Sequence, residues 1–413
     1  MGLISKNKNT NKPLLKQIID LIPDSLIRKS VSTYKSDKYY RAYKTYDQLV
    51  SLLYGQLNKC VTLRDITLGL GLNTKLMEDL GLSQSPAKST MSDGNEQRTW
   101  KVFEFIYFTL LEHYKSVFRK SPNYKIIKEI EGSSVKLVDS TTISLCLSTF
   151  NWAKFRTAKG GIKIHTCLDE SNMVPELINI TEAKVHDRNG VKNFIFEKGT
   201  IIVEDRGYFD FSLFKSRQEN QNYFVTRIKD NTIYESVEEL DLPDGKDDNI
   251  LKDEIIRLTS AKAIESGMEK EKLRRVSVYK EDENKIIEII CNNLEWSAGT
   301  IAELYKRRWN IEIFFKLLKQ NLQVKTFIGT SENACKSQIY IALIAYFLLE
   351  LIRRTMSKGN HSFSNFVNLI RICLIQYHSL AYVVNEILPI TQKVKIKVRK
   401  IPEDELFFCM NFT

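Results

Sequence analysis

The sequence has few of the side chains that bind zinc or form structural disulfides. Its seven cysteines are scattered and odd in number, and its five histidines form no cluster with them. No Cys-x-x-Cys pair occurs, so a zinc ribbon or zinc finger is not expected. Scattered cysteines of this kind are typical of reduced thiols in a cytosolic protein. We therefore expect a cytoplasmic protein without structural zinc.

Long hydrophobic runs are also missing. The most apolar stretch, Ile339 to Leu349, has 11 residues before Glu350. A helix that spans a bilayer needs about 20 apolar residues. Residues 1–17 contain no apolar signal core. We expect residues 339–349 to form a buried core helix, and we expect no membrane association.

The charge balance points to a polyanionic partner. Lysine and arginine number 61 against 50 aspartates and glutamates, giving a net charge of +11 and a pI near 9.1. A hydrophobic content of 43% and a charged content of 27% describe a globular chain, and 413 residues suffice for two or three domains. A basic chain of this size favours nucleic acid as the partner over a membrane surface.

Residues 1–128 carry helical periodicity and predict a helical N-terminal domain. We interpret it as a DNA-binding domain. Two short helices around Asn58–Thr62 are compatible with a helix-turn-helix, although any helical bundle offers such pairs. A loop is predicted over Ser83–Asn95. The predicted helices are Leu14–Ile22, Thr45–Leu57, Leu63–Leu70 and Thr99–Tyr114.

From Val135 the periodicity becomes that of strands mixed with helices, which predicts an α/β layer fold. Residues 229–295 then alternate short strand-like runs with acidic turns, and we interpret them as a β-rich insertion. The predicted strands are Val135–Asp139, Gly160–Leu168, Val174–Thr181, Thr200–Asp205 and Asn222–Ile228, then Glu271–Lys280 and Lys285–Asn292 in the insertion. The predicted helices between them are Val185–Phe196 and Phe211–Glu219.

The C-terminal region, residues 359–413, predicts one more helix, Phe363–Ile387, and a strand, Lys393–Lys400. The strand alternates lysine with valine or isoleucine, so it has one basic and one apolar face. A solvated edge strand protected by lysines is the favoured interpretation. Contact with phosphates is the alternative.

The segment Thr300–Gln323 predicts a long helix, because Thr300 and Glu303 form a capping-box pair and no glycine or proline interrupts it. Its polar residues Tyr305, Arg308, Glu312 and Lys319 are three, four and seven residues apart. They therefore share one narrow stripe. The stripe is either an ordinary amphipathic face with ion pairs such as Arg308–Glu312, or an active-site face for a nucleic-acid backbone.

Three carboxylates are candidates for a shared site. Asp139 and Asp205 each end a predicted buried strand, and Glu312 lies on the basic stripe. Carboxylates at neighbouring strand ends, joined by one from a facing helix, can hold two divalent ions for phosphodiester chemistry. Mg²⁺ suits such an all-oxygen site. Taken singly, each aspartate is better explained as a turn or helix cap. Glu204 is excluded because it points to the opposite face of its strand.

These residues carry a family resemblance. The pattern Tyr-x2-Arg-x3-Glu-x6-Lys, formed by Tyr305, Arg308, Glu312 and Lys319, resembles the signature of the DDE transposases of bacterial insertion sequences, the IS-four family. The segments Asp139-Ser-Thr-Thr and Asp205-Arg-Gly-Tyr resemble the two aspartate contexts of that family. The likeness covers roughly residues 10–355, and the tail after about residue 360 does not match.

The resemblance implies an α/β fold with a ribonuclease-H-like catalytic core, residues 129–228 and 296–358, interrupted by the insertion. It implies that Asp139, Asp205 and Glu312 are catalytic ligands of two Mg²⁺ ions, with Mn²⁺ as a substitute. Arg308 and Lys319 would bind phosphates of the element end, and Tyr305 would help to seat it. The implied partners are double-stranded DNA, as element ends and target, and a second copy in a synaptic homodimer. The implied location is the bacterial nucleoid.

Other candidates have competing explanations. Trp309 and Trp296 can stack on an unpaired base, but packing is favoured for both. Trp152 belongs to an aromatic–basic loop that either lies along DNA or is a plain surface hairpin. His165 is better explained as a satisfied histidine than as a base. The remaining members of the loop are Lys154, Arg156, Lys159 and Lys163.

Two rival functions are compatible with the sequence. One is a transposase-derived DNA-binding protein that no longer cuts, although the presence of all three carboxylates argues against it. The other is a two-metal nuclease without strand transfer.

Overall fold

The first third of the chain is helical. The computed structural model describes residues 8–118, 124–146, 150, 152–156, 159–242, 249–322, 324, 326–357 and 361–387, with backbone only at 154–156 and 159. The helices of the N-terminal region are α1 (Leu14–Ile19), α2 (Asp24–Tyr34), α3 (Thr45–Asn58), α4 (Leu63–Gly71), α5 (Thr74–Asp79), α6 (Lys88–Gln97) and α7 (Lys101–Tyr114).

Helix α6 contradicts the loop predicted over residues 83–95. Its sequence is almost entirely polar, so apolar periodicity gave no signal. Tertiary contacts hold it instead. Met91 is fully buried, Gly94 packs closely against the Tyr43 ring, and Gln48 donates a hydrogen bond of 2.7 Å to Asn95. Packing has overridden weak local propensity here.

One large mixed sheet follows. Its order is β4–β3–β1–β5–β6–β10–β9–β8–β7, with β2 joined to β3. The pairs β1–β5 and β5–β6 are parallel, and the others are antiparallel. The strands are β1 (Val135–Leu145), β2 (Lys154–Arg156), β3 (Lys159–Asp169), β4 (Val174–Glu182), β5 (Ile201–Glu204), β6 (Tyr223–Arg227), β7 (Tyr234–Glu239), β8 (Ile250–Leu258), β9 (Lys272–Lys280) and β10 (Lys285–Cys291).

Strand β1 is longer than predicted and does not end on Asp139. It pairs with β5 only as far as Val138, but its pairing with β3 continues to Leu145. The β-branched residues after Asp139 suit this extended edge. Asp139 therefore lies in mid-strand, at the point where the β5 partner stops.

The helix predicted over Val185–Phe196 is also wrong, because only α8 (Asp187–Gly190) forms there. Gly190 lies so close to the His165 ring that a Cβ atom would come within 2.2 Å of it. The close packing of the glycine fixes this short turn against β3. Helices α9 (Phe211–Glu219) and α10 (Ala261–Ser266) flank later strands.

The long predicted helix Thr300–Gln323 is divided into α11 (Ala298–Arg307) and α12 (Trp309–Asn321), and Gln323 lies outside the described residues. Arg308 joins the two helices in a helical conformation, with φ −49° and ψ −34°. The predicted cap is wrong. Ser297 caps α11 by accepting a hydrogen bond from the Thr300 N–H at 3.2 Å, while the Glu303 side chain pairs with Arg307.

Helix α13 (Glu332–Met356) is the centre of the core. It has 25 residues, and residues 339–349 within it are all buried, so the predicted buried core helix is confirmed and extends beyond that stretch at both ends. Among the described residues it alone is long and apolar enough to cross a membrane, yet 94% of its apolar window is buried inside the protein. It packs against α3, α6 and α7, as a core helix does.

The C-terminal helix is shorter than predicted. Helix α14 (Phe363–Cys373) ends well before Ile387. The carbonyl groups of Leu374, Gln376 and Tyr377 accept hydrogen bonds from N–H groups of residues 10–15 near the N-terminus. Carbonyls used in this way cannot continue the helix, and helical turns resume only at Leu380–Ile387. The predicted strand over 393–400 lies outside the described residues.

The observed cap of α11 can be tested by substitution. Ser297→Ala removes the acceptor for the Thr300 N–H, and we expect the free energy of unfolding to fall by about 1 kcal/mol. Ser297→Gly is the matched control, since glycine at a cap costs only a few tenths of a kcal/mol. Urea unfolding measures both. Equal losses in the two variants would contradict the assigned cap.

Candidate active site

The parallel pairing of β1 and β5 brings two of the predicted carboxylates side by side. Val138 pairs with Glu204, so Asp139 and Asp205 are the next residues on adjacent strands. Side chains alternate between the faces of a sheet. Leu137 and Val203, two positions earlier, belong to the main core. Asp139 and Asp205 therefore project on the same face of the sheet, the one covered by α11, α12 and α13.

Glu204 lies on the opposite face, as its position in the alternation predicted. It is fully buried and makes a paired, bidentate contact with the Arg217 guanidinium of α9. Its charge is compensated within the protein, so it is a structural carboxylate.

The third carboxylate approaches from α12, and Arg308 connects it to β1. Arg308 Nη2 donates to Glu312 Oε1 at 2.6 Å. Arg308 Nη1 lies 3.7 Å from Asp139 Oδ2. One guanidinium group thus stands between a strand carboxylate and a helix carboxylate. The i,i+4 ion pair considered from the sequence forms, and the same cation also reaches Asp139.

Electrostatics explain why a cation stands there. Burial raises the pKa of Asp139 to about 7. The Ser140 N–H, which donates to Asp139 Oδ1 at 2.7 Å, and the Arg308 charge both oppose that rise, whereas the charges of Asp205 and Glu312 add to it. Asp139 is therefore a largely buried carboxylate with two like charges nearby, and the Arg308 guanidinium supplies positive charge beside it.

The donor set is suited to a hard divalent cation, because all three carboxylates present oxygen ligands. In the described part of the chain, however, no three potential metal-ligand side chains converge closely enough to share one ion. The Arg308 guanidinium occupies the position between two of them. An ion held by Asp139 and Glu312 together would replace it there.

The other two residues of the polar stripe, Tyr305 and Lys319, lie beside these groups. The Arg308 guanidinium lies 5.8 Å from the centre of the Tyr305 ring. Burial raises the pKa of Tyr305, and Asp205 is among its charged neighbours. Lys319 Nζ donates to the Thr142 carbonyl at 3.2 Å. A shallow surface depression beside them is lined by Glu312, Phe315, Lys316, Lys319 and Gln320.

The packing predictions for the two tryptophans have different outcomes. Trp296 is 8% exposed and packs on the Tyr223 ring, so its predicted packing role is confirmed. For Trp309 the predicted packing role is wrong, because this side chain is 56% exposed. It lies at the start of α12, one turn from Glu312. Trp152 donates to the Thr330 carbonyl. The side chains of Lys154, Arg156 and Lys159 lie outside the described residues.

A polar cluster behind β1 includes a residue that the sequence analysis did not single out, Asp187. Its Oδ1 accepts a hydrogen bond of 2.6 Å from the Ser140 hydroxyl and lies 3.0 Å from Lys163 Nζ. Ser140 follows Asp139 directly, so this cluster holds β1 where Asp139 projects. The polar run His186-Asp-Arg-Asn-Gly190 after β4 was the available signal.

His165 lies in this cluster and is fully buried. Its Nε2 is 3.0 Å from the Thr181 hydroxyl. Burial is the main cause that lowers its pKa, to about 4. The charge of Lys163 lowers the pKa as well, whereas the charge of Asp187 opposes the shift. It is therefore a core histidine rather than an exposed base, as expected, but only one of its ring nitrogens is satisfied, because the buried Nδ1 has no hydrogen-bond partner among the described residues.

Comparison with known proteins agrees with the geometry. Residues 130–348, more than half of the chain, match the family described as Transposase DDE domain. Residues 10–83 match a domain of unknown function (DUF4372). The chain therefore belongs to the DDE transposases of insertion sequences.

Three relatives carry related names. "Putative transposase y4zB" of Sinorhizobium fredii is 29% identical over 300 residues, 72% of this chain and 80% of that protein. "Probable transposase for insertion sequence element IS5377" of Geobacillus stearothermophilus is 28% identical, over 57% of this chain and 61% of that protein. "Putative transposase for insertion sequence element IS4SA" of a Synechocystis species is 29% identical, over 64% and 71%.

The buried state of His165 predicts a pH dependence. Its pKa falls from 6.5 when unfolded to about 4 when folded, so the unfolded chain takes up the proton first. The associated stability is complete above pH 6.5 and is lost as the pH falls towards 4, by about 3 kcal/mol in all. His165→Gln keeps a polar partner for Thr181 and has no such titration.

Urea unfolding of both proteins at pH 7, 5.5 and 4 measures the effect. We expect the difference in free energy of unfolding between the wild type and His165→Gln to become smaller each time the pH is lowered. The difference between the two proteins isolates His165 from the other groups that titrate in this range. A constant difference would show that His165 does not remain neutral in the folded protein.

Proposed function

We propose that this protein binds the terminal inverted repeats of an insertion sequence, cleaves the DNA at the element ends and joins the 3′-hydroxyl ends to target DNA. One observation carries the proposal. Asp139 and Asp205 lie side by side on parallel strands, and Glu312 approaches Asp139 through a shared cation. Carboxylates gathered in this way supply the oxygen ligands that metal-assisted phosphodiester chemistry uses, which supports the proposal.

The sheet supports a ribonuclease-H-like core for residues 129–228 and 296–358. Strands β4, β3 and β1 are antiparallel, and β5 and β6 continue the sheet in parallel. Residues 229–295 would be an insertion whose strands extend the same sheet through β10 and β6. Residues 1–128 would form the DNA-binding domain, and residues 359–413 a C-terminal appendage.

Asp139, Asp205 and Glu312 would hold two Mg²⁺ ions, with Mn²⁺ as a substitute. Such ions activate the attacking oxygen and stabilise the leaving oxygen of a phosphodiester. Arg308 would then be released from Asp139 and Glu312, and its charge would become available to a phosphate of the element end. Lys319 lies at the rim of the depression beside Glu312 and would bind a second phosphate, while Tyr305 would seat the end.

The exposed Trp309 would lie close to the cleaved end. Its position one turn before Glu312 on α12 gives an unpaired base a ring on which to stack. The net positive charge favours DNA as the partner. Joining of two ends would need two copies of this chain in one synaptic complex, and we retain the expectation of a cytoplasmic, nucleoid-associated homodimer.

Cleavage of a duplex that carries the element's own terminal repeat tests the proposal, with Glu312→Gln as the variant. We expect this variant to lose Mg²⁺-dependent cleavage by at least a thousandfold and to keep DNA affinity within a few-fold. Glu303→Gln is the matched control, because Glu303 lies on the preceding helix, α11, and pairs with Arg307. Equal loss of cleavage and binding in Glu312→Gln would contradict the assigned role.

A joining assay separates the proposal from its rivals. A pre-cleaved end with a free 3′-hydroxyl is mixed with a supercoiled target, and covalent products are counted. Joined products indicate a transposase. Cleavage without joining indicates a nuclease, and specific binding without either reaction indicates a DNA-binding protein that no longer cuts.

Arg308 is predicted to compete with divalent ions for Asp139 and Glu312. Arg308→Met removes that competition, so we expect Mn²⁺ to bind the DNA-free protein about fivefold more tightly, which corresponds to about 1 kcal/mol. Without metal the same variant should melt at a lower temperature, because the carboxylates lose their counter-charge. Electron paramagnetic resonance of free Mn²⁺ and thermal melting measure the two effects.

Lys316→Met is the control for Arg308→Met. It removes the same formal charge, from an exposed position on α12 that makes no ion pair with a described residue. Its Mn²⁺ affinity should stay within twofold of the wild type. Unchanged or weaker Mn²⁺ binding in Arg308→Met would show that Arg308 and the metal do not compete.

A further inference from the structure

Helix α2 and the loop that joins it to α3 carry an unusual concentration of exposed positive charge, with two of the cations on α2 and four in the loop. Six cations lie within residues 28–44, and all six side chains are exposed. They make no ion pair with any described residue. The segment contains one acid, Asp37, whose Oδ1 accepts hydrogen bonds of 2.6 Å from the N–H and hydroxyl of Thr45. The six cations are Arg28, Lys29, Lys35, Lys38, Arg41 and Lys44.

The loop that presents these charges is firmly built. Arg98 is 2% exposed and donates to the carbonyls of Ser36 at 3.1 Å and Tyr43 at 2.7 Å. Its guanidinium also lies 4.1 Å from the centre of the Tyr40 ring. A buried arginine thus fixes both ends of the loop, so the charges are held in place rather than carried on a loose segment.

Tyr39 stands at the tip of this loop and is 89% exposed. Its φ is +72°, a conformation that a bulky residue rarely adopts. Such strain persists where the surrounding structure imposes it, and it is often found at binding sites. Lys38 Nζ lies 4.8 Å from the centre of the Tyr39 ring. An aromatic ring and a cation are therefore presented together to solvent.

We propose that this α2–α3 surface, residues 28–44, binds the phosphate backbone of duplex DNA. Unpaired cations supply the charge that releases counterions from DNA. The Tyr39 hydroxyl donates to a phosphate oxygen, and its ring covers the adjoining sugar. The inference rests on the proposed function and assigns the DNA contact to a surface within residues 10–83, the segment that matches the domain of unknown function.

The helix-turn-helix considered around Asn58–Thr62 is less suited to this task. Helix α3 is buried along most of its length, so it cannot enter a groove. Helix α4 and the residue that follows it expose Leu68 and Leu72, but the helix carries only Arg64 as a cation, next to Asp65. The distribution of exposed cations therefore favours the α2–α3 surface, at the N-terminal end of α3, as the DNA contact.

The geometry also separates this surface from the catalytic helix. At the far end of α3, Lys59 Nζ donates to the Gln320 carbonyl of α12. The 14 residues of α3 place the α2–α3 surface about 20 Å from that contact. At 3.4 Å per base pair, this corresponds to roughly six base pairs of DNA. A duplex that runs along α3 would therefore meet this surface several base pairs from the point where it meets the end of α12.

The test replaces Lys35, Lys38 and Arg41 together by glutamine in the full chain. DNA affinity is measured by fluorescence anisotropy on a terminal-repeat duplex between 50 and 300 mM salt. We expect the slope of log K against log salt to fall by about 2 to 3, since each phosphate contact contributes about 0.9. Affinity at 100 mM salt should drop at least tenfold.

The matched control replaces Lys262, Lys270 and Lys272, three exposed lysines, by glutamine. It makes the same change in net charge and should keep the wild-type slope within 0.5. A wild-type slope in the first triple variant, with the wild type itself binding and cutting the repeat, overturns the inference and leaves the proposed function intact. A wild type that neither binds nor cuts the repeat overturns the proposed function.

Tyr39→Gly distinguishes a binding role from a structural one. Glycine adopts a positive φ without strain, so this variant should melt at the same temperature as the wild type or higher. Its DNA affinity should nevertheless fall at least threefold. Loss of both stability and affinity, or retention of affinity, would show that Tyr39 does not contact DNA.

Discussion

The candidate active site depends on the parallel pairing of β1 with β5. That pairing sets Asp139 and Asp205 beside each other on one face of the sheet, where the charge of Asp205 adds to the effect of burial on Asp139. A third carboxylate, Glu312, adds to the same effect. The site is tolerable in the folded protein because Arg308 lies between Asp139 and Glu312. The proposed function and the stability of the fold would therefore make opposite demands on the same few atoms, and a cation beside the carboxylates would reconcile them.

The rest of the fold keeps these groups in register. Helix α13 fills the core between the N-terminal helices and the sheet, and α12 packs against β1 beside it. Behind the sheet, Asp187 holds Ser140 from the opposite face, and the Glu204–Arg217 pair fixes the end of β5 to α9. Both strand carboxylates of the site, Asp139 and Asp205, are thus adjacent to a residue that is anchored elsewhere in the protein.

Local periodicity predicted the parts of this structure that it governs. The alternation along β5 separated Asp205 from Glu204, and helical spacing brought Tyr305, Arg308, Glu312 and Lys319 together. The parts that depend on distant contacts were not predictable in this way. Helix α6 is polar and forms through packing against α3, and β1 continues past Asp139 because β3 continues beside it. Helix α14 ends because residues near the N-terminus use the carbonyls beyond it. No local pattern indicated that Arg308 turns inward to Asp139.

Iron-directed cleavage of the protein tests the central claim that Asp139, Asp205 and Glu312 share one divalent-metal site. Fe²⁺ replaces Mg²⁺ at the site, and ascorbate with peroxide then generates radicals that cut the nearby backbone. We predict fragments that end near residues 139, 205 and 312 together, suppressed by excess Mg²⁺ and absent in Asp205→Asn. Cuts at only one of the three segments, or cuts that persist unchanged in Asp205→Asn, would contradict a shared metal site.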